Sequence, residues 1–125
     1  MILLLHSIAY AFEPTGEYTY TDPDFTGTMK IKENNSYSRK MTMVLHTTHT
    51  ETGHTCDVEV VGVRVADNKN EIKEKFTDNI ITFFVTFTPY GATIEEEFEK
   101  FRWVCGLHAS FSGKWIKNGV KQPDK

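Results

Sequence analysis

The sequence predicts an all-β protein, a small antiparallel up-and-down β-barrel of seven to eight strands with one disulfide and at most one short helix. Three observations support this prediction. Short runs of alternating apolar and polar residues recur along the chain, with turn-forming residues between them. Aromatic residues make up 13% of the 125 residues, a share typical of strands. Finally, the chain's two cysteines, Cys56 and Cys105, both lie within strand-forming segments.

The two cysteines are far apart in the sequence, so a bond between them would join distant parts of one sheet. In an all-β chain of this size, we interpret Cys56 and Cys105 as a single disulfide across the sheet or barrel. The chain-entropy description gives a closed loop of about 50 residues a stabilisation of roughly 4 kcal/mol. Disulfides persist in oxidising compartments, so we expect the protein to be periplasmic or secreted.

Four strands are predicted in the first half of the chain. The first covers residues 17–21 and ends at a turn with Pro23, and the second covers residues 25–32, where Met29 and Ile31 alternate with lysines. The third covers residues 40–48. The fourth covers residues 54–66, begins after Gly53 and is apolar on both faces. Its residues divide into Cys56, Val58 and Val60 on one face and Val61, Val63 and Val65 on the other.

The second half adds up to four strands. Residues 71–76 form a short charged strand, and residues 80–88 form an apolar one. A turn at Pro89 leads to a strand at 92–96, and residues 109–117 complete the pattern with Phe111 and Trp115 on one face. Residues 95–104 fit either a short helix or a strand after a loop. We favour a loop or short helix that runs into a strand at 102–105.

Closure of this meander into a barrel removes exposed strand edges, which otherwise favour aggregation. The interior of about eight strands is filled by side chains or holds one small ligand. A single barrel domain is predicted over residues 12–117, and the polar residues 118–125 are predicted to form a flexible C-terminal tail.

The opening residues 1–11 are apolar, and Ala9-Tyr10-Ala11 has the small-x-small pattern that precedes a signal-peptidase cleavage site. We interpret this segment as a remnant of a signal peptide. The alternative is a first strand or a buried helical turn.

The charge balance limits the classes of partner. A formal net charge of −3 argues against nucleic acid, because phosphate binding needs clustered lysine and arginine. The same charge is compatible with a basic protein partner. No stretch approaches the roughly 20 apolar residues of a membrane helix, so no transmembrane segment is expected.

One segment carries a resemblance to a known group of proteins. Residues 105–115, Cys-Gly-Leu-His-Ala-Ser-Phe-Ser-Gly-Lys-Trp, have the form C-G-x-x-A-x-F-x-G-x-aromatic, and Gly53-His-Thr-Cys-Asp-Val-Glu59 precedes them. Together they resemble small exported bacterial β-barrel proteins, some of them grouped with bacterial lysozyme inhibitors. The resemblance covers about residues 16–117 and implies a periplasmic or surface-anchored barrel with its two cysteines bonded.

The inhibitors of C-type lysozyme carry an S-G-x-x-Y loop that enters the lysozyme cleft. Here Ser112 and Gly113 match the start of this motif, whereas Trp115 places an aromatic residue one position early and Ile116 occupies the tyrosine position. The family's second motif, Y-x-x-x-T-K-G, has no match in the sequence. The resemblance thus points to Ser112, Gly113 and Lys114 as the partner-binding residues.

Three histidines, His46, His49 and His54, surround the predicted turn at Gly53, and zinc binds histidine, cysteine and carboxylate side chains. His46 and His49 are three positions apart and face opposite sides of an extended strand. We interpret the three as solvated residues, with a metal site as the alternative. No cofactor is expected.

Two further sets of residues bear on catalysis. His108 lies near Cys105, but a disulfide-bonded cysteine cannot act as a nucleophile. Paired carboxylates act in glycosidases when they converge on a cleft, whereas the consecutive Glu95, Glu96 and Glu97, with Glu99, diverge. We interpret the acidic run as a solvated face and a contact for a basic partner, and we do not expect an enzyme.

The sequence therefore predicts a non-catalytic exported binding protein, and the specific expectation is a lysozyme-inhibitor-like protein. The alternative is a lipocalin-like carrier of a small apolar ligand. Its site would be lined by Phe83, Val85, Phe111 and Trp115.

Overall fold

The structure, a computed structural model, describes residues 12–21, 23–34, 40–68, 70–77, 82–96 and 113–123. No helix occurs among these residues. The strands are β1 (Gly16–Thr21), β2 (Phe25–Glu33), β3 (Lys40–His49), β4 (Thr55–Asp67), β5 (Ile72–Thr77), β6 (Thr82–Thr88), β7 (Gly91–Glu96) and β8 (Gly113–Lys117).

Each strand pairs antiparallel with the next along the chain, and β8 pairs with β1 to close the barrel. The prediction of an all-β, antiparallel up-and-down barrel is confirmed. The barrel has eight strands among the described residues, where seven to eight were predicted. The seam between β1 and β8 is short, with Tyr18 opposite Lys117 and Thr19 opposite Ile116. Asn118 extends the seam, because its side-chain oxygen accepts a hydrogen bond of 2.7 Å from the Thr19 hydroxyl.

The alternation of apolar and polar residues explains why these segments are strands and which face is inside. On β2, Met29 and Ile31 are buried, whereas Lys30 and Lys32 are exposed. The same pattern holds in β3 to β6, so one face of every strand lines a shared interior. The largest fully buried side chains are Trp115, Tyr18, Phe76, Phe83, Phe87, Met29, Ile31, Met43, Leu45 and Ile94.

Two inward-facing glycines make room for aromatic rings in this interior. Gly62 on β4 lies opposite Phe76 on β5, and a Cβ atom added at Gly62 would lie 2.4 Å from the Phe76 ring. A Cβ atom at Gly27 would lie 2.7 Å from the Trp115 ring and 2.8 Å from the Thr47 methyl group. At both glycines the aromatic ring takes the space that a side chain would need, so the interior is filled at these levels.

The ends of the barrel are formed by two sets of turns. We call one end the β3–β4 rim; it carries the turns at residues 23–24 and 50–54 and the start of β8 at Gly113. We call the other end the β4–β5 rim; it carries the turns at residues 68–71 and 89–90. All the predicted contact residues belong to the β3–β4 rim or to the sequence next to it.

Several predictions fall partly or wholly outside the described residues. Residues 1–11, residues 97–112 with the proposed helix or loop and the strand at 102–105, and residues 124–125 are all outside. Glu95 and Glu96 belong to β7. Within the predicted tail, the Gln122 side-chain amide donates a hydrogen bond of 3.0 Å to the Tyr90 carbonyl oxygen. The described part of the chain has no helix with the length and apolar character of a membrane span.

Candidate functional site

The predicted contact residues lie where β8 begins. Gly113 pairs with Ile94 of β7, and its φ of +127° is in a region that favours glycine. A Cβ atom there would lie 2.9 Å from the Tyr20 ring of β1, so close packing also requires glycine. Lys114 is exposed on the outer face. Ser112, the third predicted residue, lies outside the described residues.

The two turns of the β3–β4 rim are hydrogen-bonded to each other. The Thr50 backbone N–H donates to the Asp24 carbonyl oxygen at 2.8 Å, and the Thr50 hydroxyl donates to the Pro23 carbonyl oxygen at 2.9 Å. The turn that ends β1 is therefore fixed to the turn that ends β3. These bonds hold the backbones of the two turns in one relative position, and a preorganised backbone lowers the entropy cost of binding.

The β3–β4 turn is also fixed internally. The His49 N–H donates to the His54 carbonyl oxygen at 2.7 Å, and the Gly53 N–H donates to the His49 carbonyl oxygen at 2.9 Å. Gly53 has φ +78°, which the turn requires. The His49 ring packs edge-on against Phe25 at 5.0 Å, and its Nδ1 accepts a 3.1 Å bond from the Thr52 N–H. The turn is thus held by hydrogen bonds within itself and by the contact of the His49 ring with Phe25.

Two of the three candidate metal ligands, His46 and His49, occupy different environments. His46 lies on the outer wall, where its Nδ1 is 2.5 Å from Asp57 Oδ1 and its Nε2 is 3.2 Å from the Thr48 hydroxyl. His49 packs at the rim, as the predicted opposite orientation of the two side chains requires. Among the described residues, no group of three or more histidine, cysteine, aspartate or glutamate side chains is placed to hold a metal ion.

Acidic side chains are exposed around the β3–β4 rim. Asp24 and Glu51 lie in its two turns, and Glu95 is exposed near the end of β7. Of the rest of the acidic run, Glu96 is within β7, and Glu97 and Glu99 lie outside the described residues. These three exposed carboxylates outnumber the exposed Lys114 in the described part of the rim and give it a negative character, which attracts cationic surfaces.

The residues proposed to line a carrier site are core residues where they are described. Phe83, Val85 and Trp115 belong to the hydrophobic core cluster, and Phe111 lies outside the described residues. Trp115 packs against Gly27 and its ring is 5.2 Å from that of Tyr20. A ligand in the interior would have to displace these packed rings.

The sequence reasoning missed a charged pair in the barrel wall. Glu74 on β5 is fully buried, and its Oε2 accepts a hydrogen bond of 3.0 Å from Arg64 Nε of β4. Arg64 is partly exposed at the β4–β5 rim and lies 3.6 Å from Asp67. A register shift between Arg64 and Ala66 marks a β-bulge at this point, and bulges re-aim side chains.

Glu74 is only half satisfied by this arrangement. Among the described residues, Glu74 Oε1 and Thr47 Oγ1 are buried side-chain oxygens without a hydrogen-bond partner. Burial raises the pKa of the Glu74 carboxyl, and the hydrogen bond and charge of Arg64 oppose this rise. The sequence contained a pattern that indicates the burial of Glu74, because Glu74 alternates with charged residues in the same way as the apolar Ile72 and Phe76, and all three lie on the inner face of β5.

An open groove of about 550 Å³ lies at the β4–β5 rim, away from the predicted contact residues. Its shape follows from the β4–β5 turn, where Asn68 Oδ1 accepts bonds of 2.8 and 2.9 Å from the N–H groups of Asn70 and Glu71. It is lined by Asn68, Asn70, Glu71, Thr88, Pro89 and Tyr90. Small-ligand sites usually enclose most of their ligand, so this groove suits one less well than a closed cavity would.

Of the two cysteines, Cys56 lies on the inner face of β4 within the hydrophobic core. Its predicted partner, Cys105, lies outside the described residues, so the disulfide stays a prediction.

Comparisons with known proteins identify no relative. No protein-family model, curated protein or solved structure matches the chain. The resemblance to exported barrels and lysozyme inhibitors therefore stays a prediction that rests on the sequence segments named above.

Proposed function

We propose that the chain is a non-catalytic binding protein that acts in the periplasm or after secretion, and that it contacts a basic protein such as a lysozyme. The contact surface of this proposal is the β3–β4 rim with Gly113 and Lys114 at its edge, and the proposal includes Ser112, which precedes them in the sequence. The observation that carries the proposal is the pair of hydrogen bonds by which Thr50 joins the two turns of this rim.

A fixed rim supports binding because a surface that is already ordered loses little conformational freedom when a partner docks. The Thr50 bonds fix the position of one turn relative to the other, and the bonds of His49 and Gly53 fix the shape of the longer turn. Gly113 brings the start of β8 against Tyr20, which leads into the same rim.

The charge of the rim supports a basic partner. Asp24, Glu51 and Glu95 are exposed there. Complementary charge speeds the encounter of two proteins and disfavours partners of the same sign. A cationic enzyme that acts on bacterial cell walls fits both this charge and the resemblance of the segment at residues 105–115.

The proposal is tested by the hydrolysis of bacterial cell walls by a C-type lysozyme in the presence of equimolar protein. We expect hydrolysis to slow, and Ser112→Tyr to weaken the inhibition by filling the contact surface. Glu51→Lys should weaken inhibition about threefold or more, with less dependence on salt, because it removes a rim charge.

Glu33→Lys is the matched control, because Glu33 is an exposed glutamate at the opposite end of the barrel. It should leave inhibition unchanged. Unimpeded hydrolysis at equimolar protein, together with no binding to immobilised lysozyme, would rule out a lysozyme partner.

The disulfide and the exported location belong to the same proposal. Cys56 faces the interior of the barrel, a suitable place for a bond that joins β4 to the segment before β8. After denaturation without reductant, neither cysteine should react with an alkylating reagent, and both should react after reduction. If the cysteines of unreduced protein purified from an oxidising compartment react with the reagent, the disulfide prediction is wrong. The main argument for export then fails as well.

A further inference from the structure

Three side chains on the outer wall of β3 and β4 form a continuous hydrogen-bonded series. Asp57 lies opposite His46 in the ladder, and its Oδ1 is 2.5 Å from His46 Nδ1. Thr48 lies two residues beyond His46 on the same face of β3, and its hydroxyl oxygen is 3.2 Å from His46 Nε2. The order of the groups is therefore carboxylate, imidazole and hydroxyl, and each ring nitrogen faces one partner.

The roles of the two ring nitrogens follow from the chemistry of their partners. An ionised carboxylate only accepts hydrogen bonds, so Asp57 holds the ring hydrogen of a neutral His46 on Nδ1. The lone pair of His46 Nε2 then accepts the hydrogen bond of the Thr48 hydroxyl. A hydroxyl is activated as a nucleophile when an adjacent base, itself oriented by a third group, can take its proton. Thr48, His46 and Asp57 stand in this relation to one another.

Two further hydroxyl groups flank Thr48. Thr26 of β2 and Thr55 of β4 lie opposite it in the two neighbouring ladders, and both are exposed. Side chains directly opposite each other on one face of a sheet have Cβ atoms about 4.5–5.5 Å apart, which is within reach of a group bonded to Thr48. Hydroxyl donors so placed stabilise the negative oxygen that forms when a carbonyl carbon is attacked. Thr48 thus lies beside both a base and two donors.

We propose that Thr48 is a site of covalent acylation by activated esters, with His46 as its general base and Asp57 as a positioning residue. The Thr48 oxygen bonds to the acyl carbon while its proton passes to His46 Nε2. The bond from the acyl carbon to the leaving oxygen then breaks, and His46 gives the proton to that oxygen. The products are an ester on Thr48 and a free alcohol. One ester molecule is consumed for each Thr48, so the modification neither requires the proposed binding function nor makes the chain an enzyme.

The test is the reaction of the purified chain with p-nitrophenyl acetate, with peptide mass spectrometry to locate the acetyl groups over time. Thr48 should be acetylated at least about tenfold faster than Thr82, since a positioned general base contributes roughly 10²- to 10⁴-fold. Thr82 is a matched control within the same molecule. It is half-buried like Thr48, and its hydroxyl oxygen is 2.8 Å from that of Thr77 instead of from a histidine. Equal rates at Thr48 and Thr82 would overturn the proposal.

Variants separate the base from its positioning residue. His46→Gln should lower the rate at Thr48 about tenfold or more. His54→Gln changes another exposed histidine of the same hairpin and should leave the rate unchanged. Asp57→Asn should also lower the rate, because an amide can donate to Nδ1 and leave the ring hydrogen on Nε2. Asp57→Glu keeps the carboxylate and should restore part of the rate, which a merely structural role of Asp57 would not predict.

The fold provides the remaining control. Exposed ion pairs contribute little to stability, so the His46 and Asp57 variants should keep nearly the parent's urea midpoint. Thr48→Val preserves the β-branched shape and should lose the acetyl ester at this position. An unchanged rate at Thr48 in folded His46→Gln or Asp57→Asn would overturn the proposal. So would an acetyl group that forms on His46 in place of Thr48.

Discussion

The inner and outer faces of the barrel wall use similar residues for different purposes. On β4, Val58 and Val60 are buried in the core, whereas Val61 and Val63 of the same strand face solvent. On β8, Trp115 is 2% exposed and its neighbour Ile116 is 53% exposed. Residue type alone thus does not separate the faces; position in the alternation does. The inner face forms the hydrophobic core, and the outer face is exposed to solvent.

The largest expected effect comes from the inner face of β8. Trp115→Ala should lower the free energy of unfolding by about 3–5 kcal/mol, because it removes a large buried ring and leaves a cavity beside Gly27. Ile116→Ala, one residue away on the outer face, should cost about 0.5 kcal/mol. Urea unfolding followed by circular dichroism measures both. Equal costs for the two variants would show that the faces do not differ as described.

A smaller effect concerns the charged position of the inner face. Because burial raises the folded-state pKa of Glu74, its stabilising contribution is present in acid and is lost as the pH rises through that pKa. Glu74→Gln removes this pH-dependent loss of stability, because glutamine does not ionise. At neutral pH the variant should be more stable than the parent by about 1 kcal/mol, since a buried ion pair often contributes less than a neutral replacement.

The measurement is the urea midpoint of both proteins from acid to neutral pH, where the difference should grow with pH and then level off. Glu71→Gln is the control, because Glu71 belongs to the same region and is exposed. A variant that becomes less stable than the parent as pH rises would show that Arg64 stabilises the Glu74 charge by more than burial penalises it.

Most of the fold was predictable from alternation. The strand at 40–48 was predicted from its alternating apolar residues, and in β3 Met41, Met43 and Leu45 are buried on one face. The division of β4 into two faces was also correct. Alternation shows that two faces exist, but it does not show which one is inside when both are apolar, as on β4. That choice depends on the neighbouring strands, which contribute Met43 and Phe76 to the interior.

The candidate site was less predictable than the fold. Gly113 and Lys114 were singled out by their sequence motif, but the bonds of Thr50 that join two turns link residues 26 positions apart. No local pattern specifies such a contact. Glu74 was overlooked for a different reason: residues 71–76 were predicted only as a short charged strand, without an inner and an outer face. Its partner Arg64 is brought opposite it by the register of β4 and β5.

The short seam between β1 and β8 has a consequence for the way the polypeptide acquires its shape. Thr19 and Asn118, which meet there, are 99 positions apart, so all eight strands must be synthesised before these two residues can come together. Pairings of such high contact order form slowly. Until the last strand arrives, β1 and β7 each present an open edge to other chains in the same crowded surroundings. Newly made molecules are therefore most prone to aggregation just before β8 pairs with β1, and the closed barrel protects folded molecules from it.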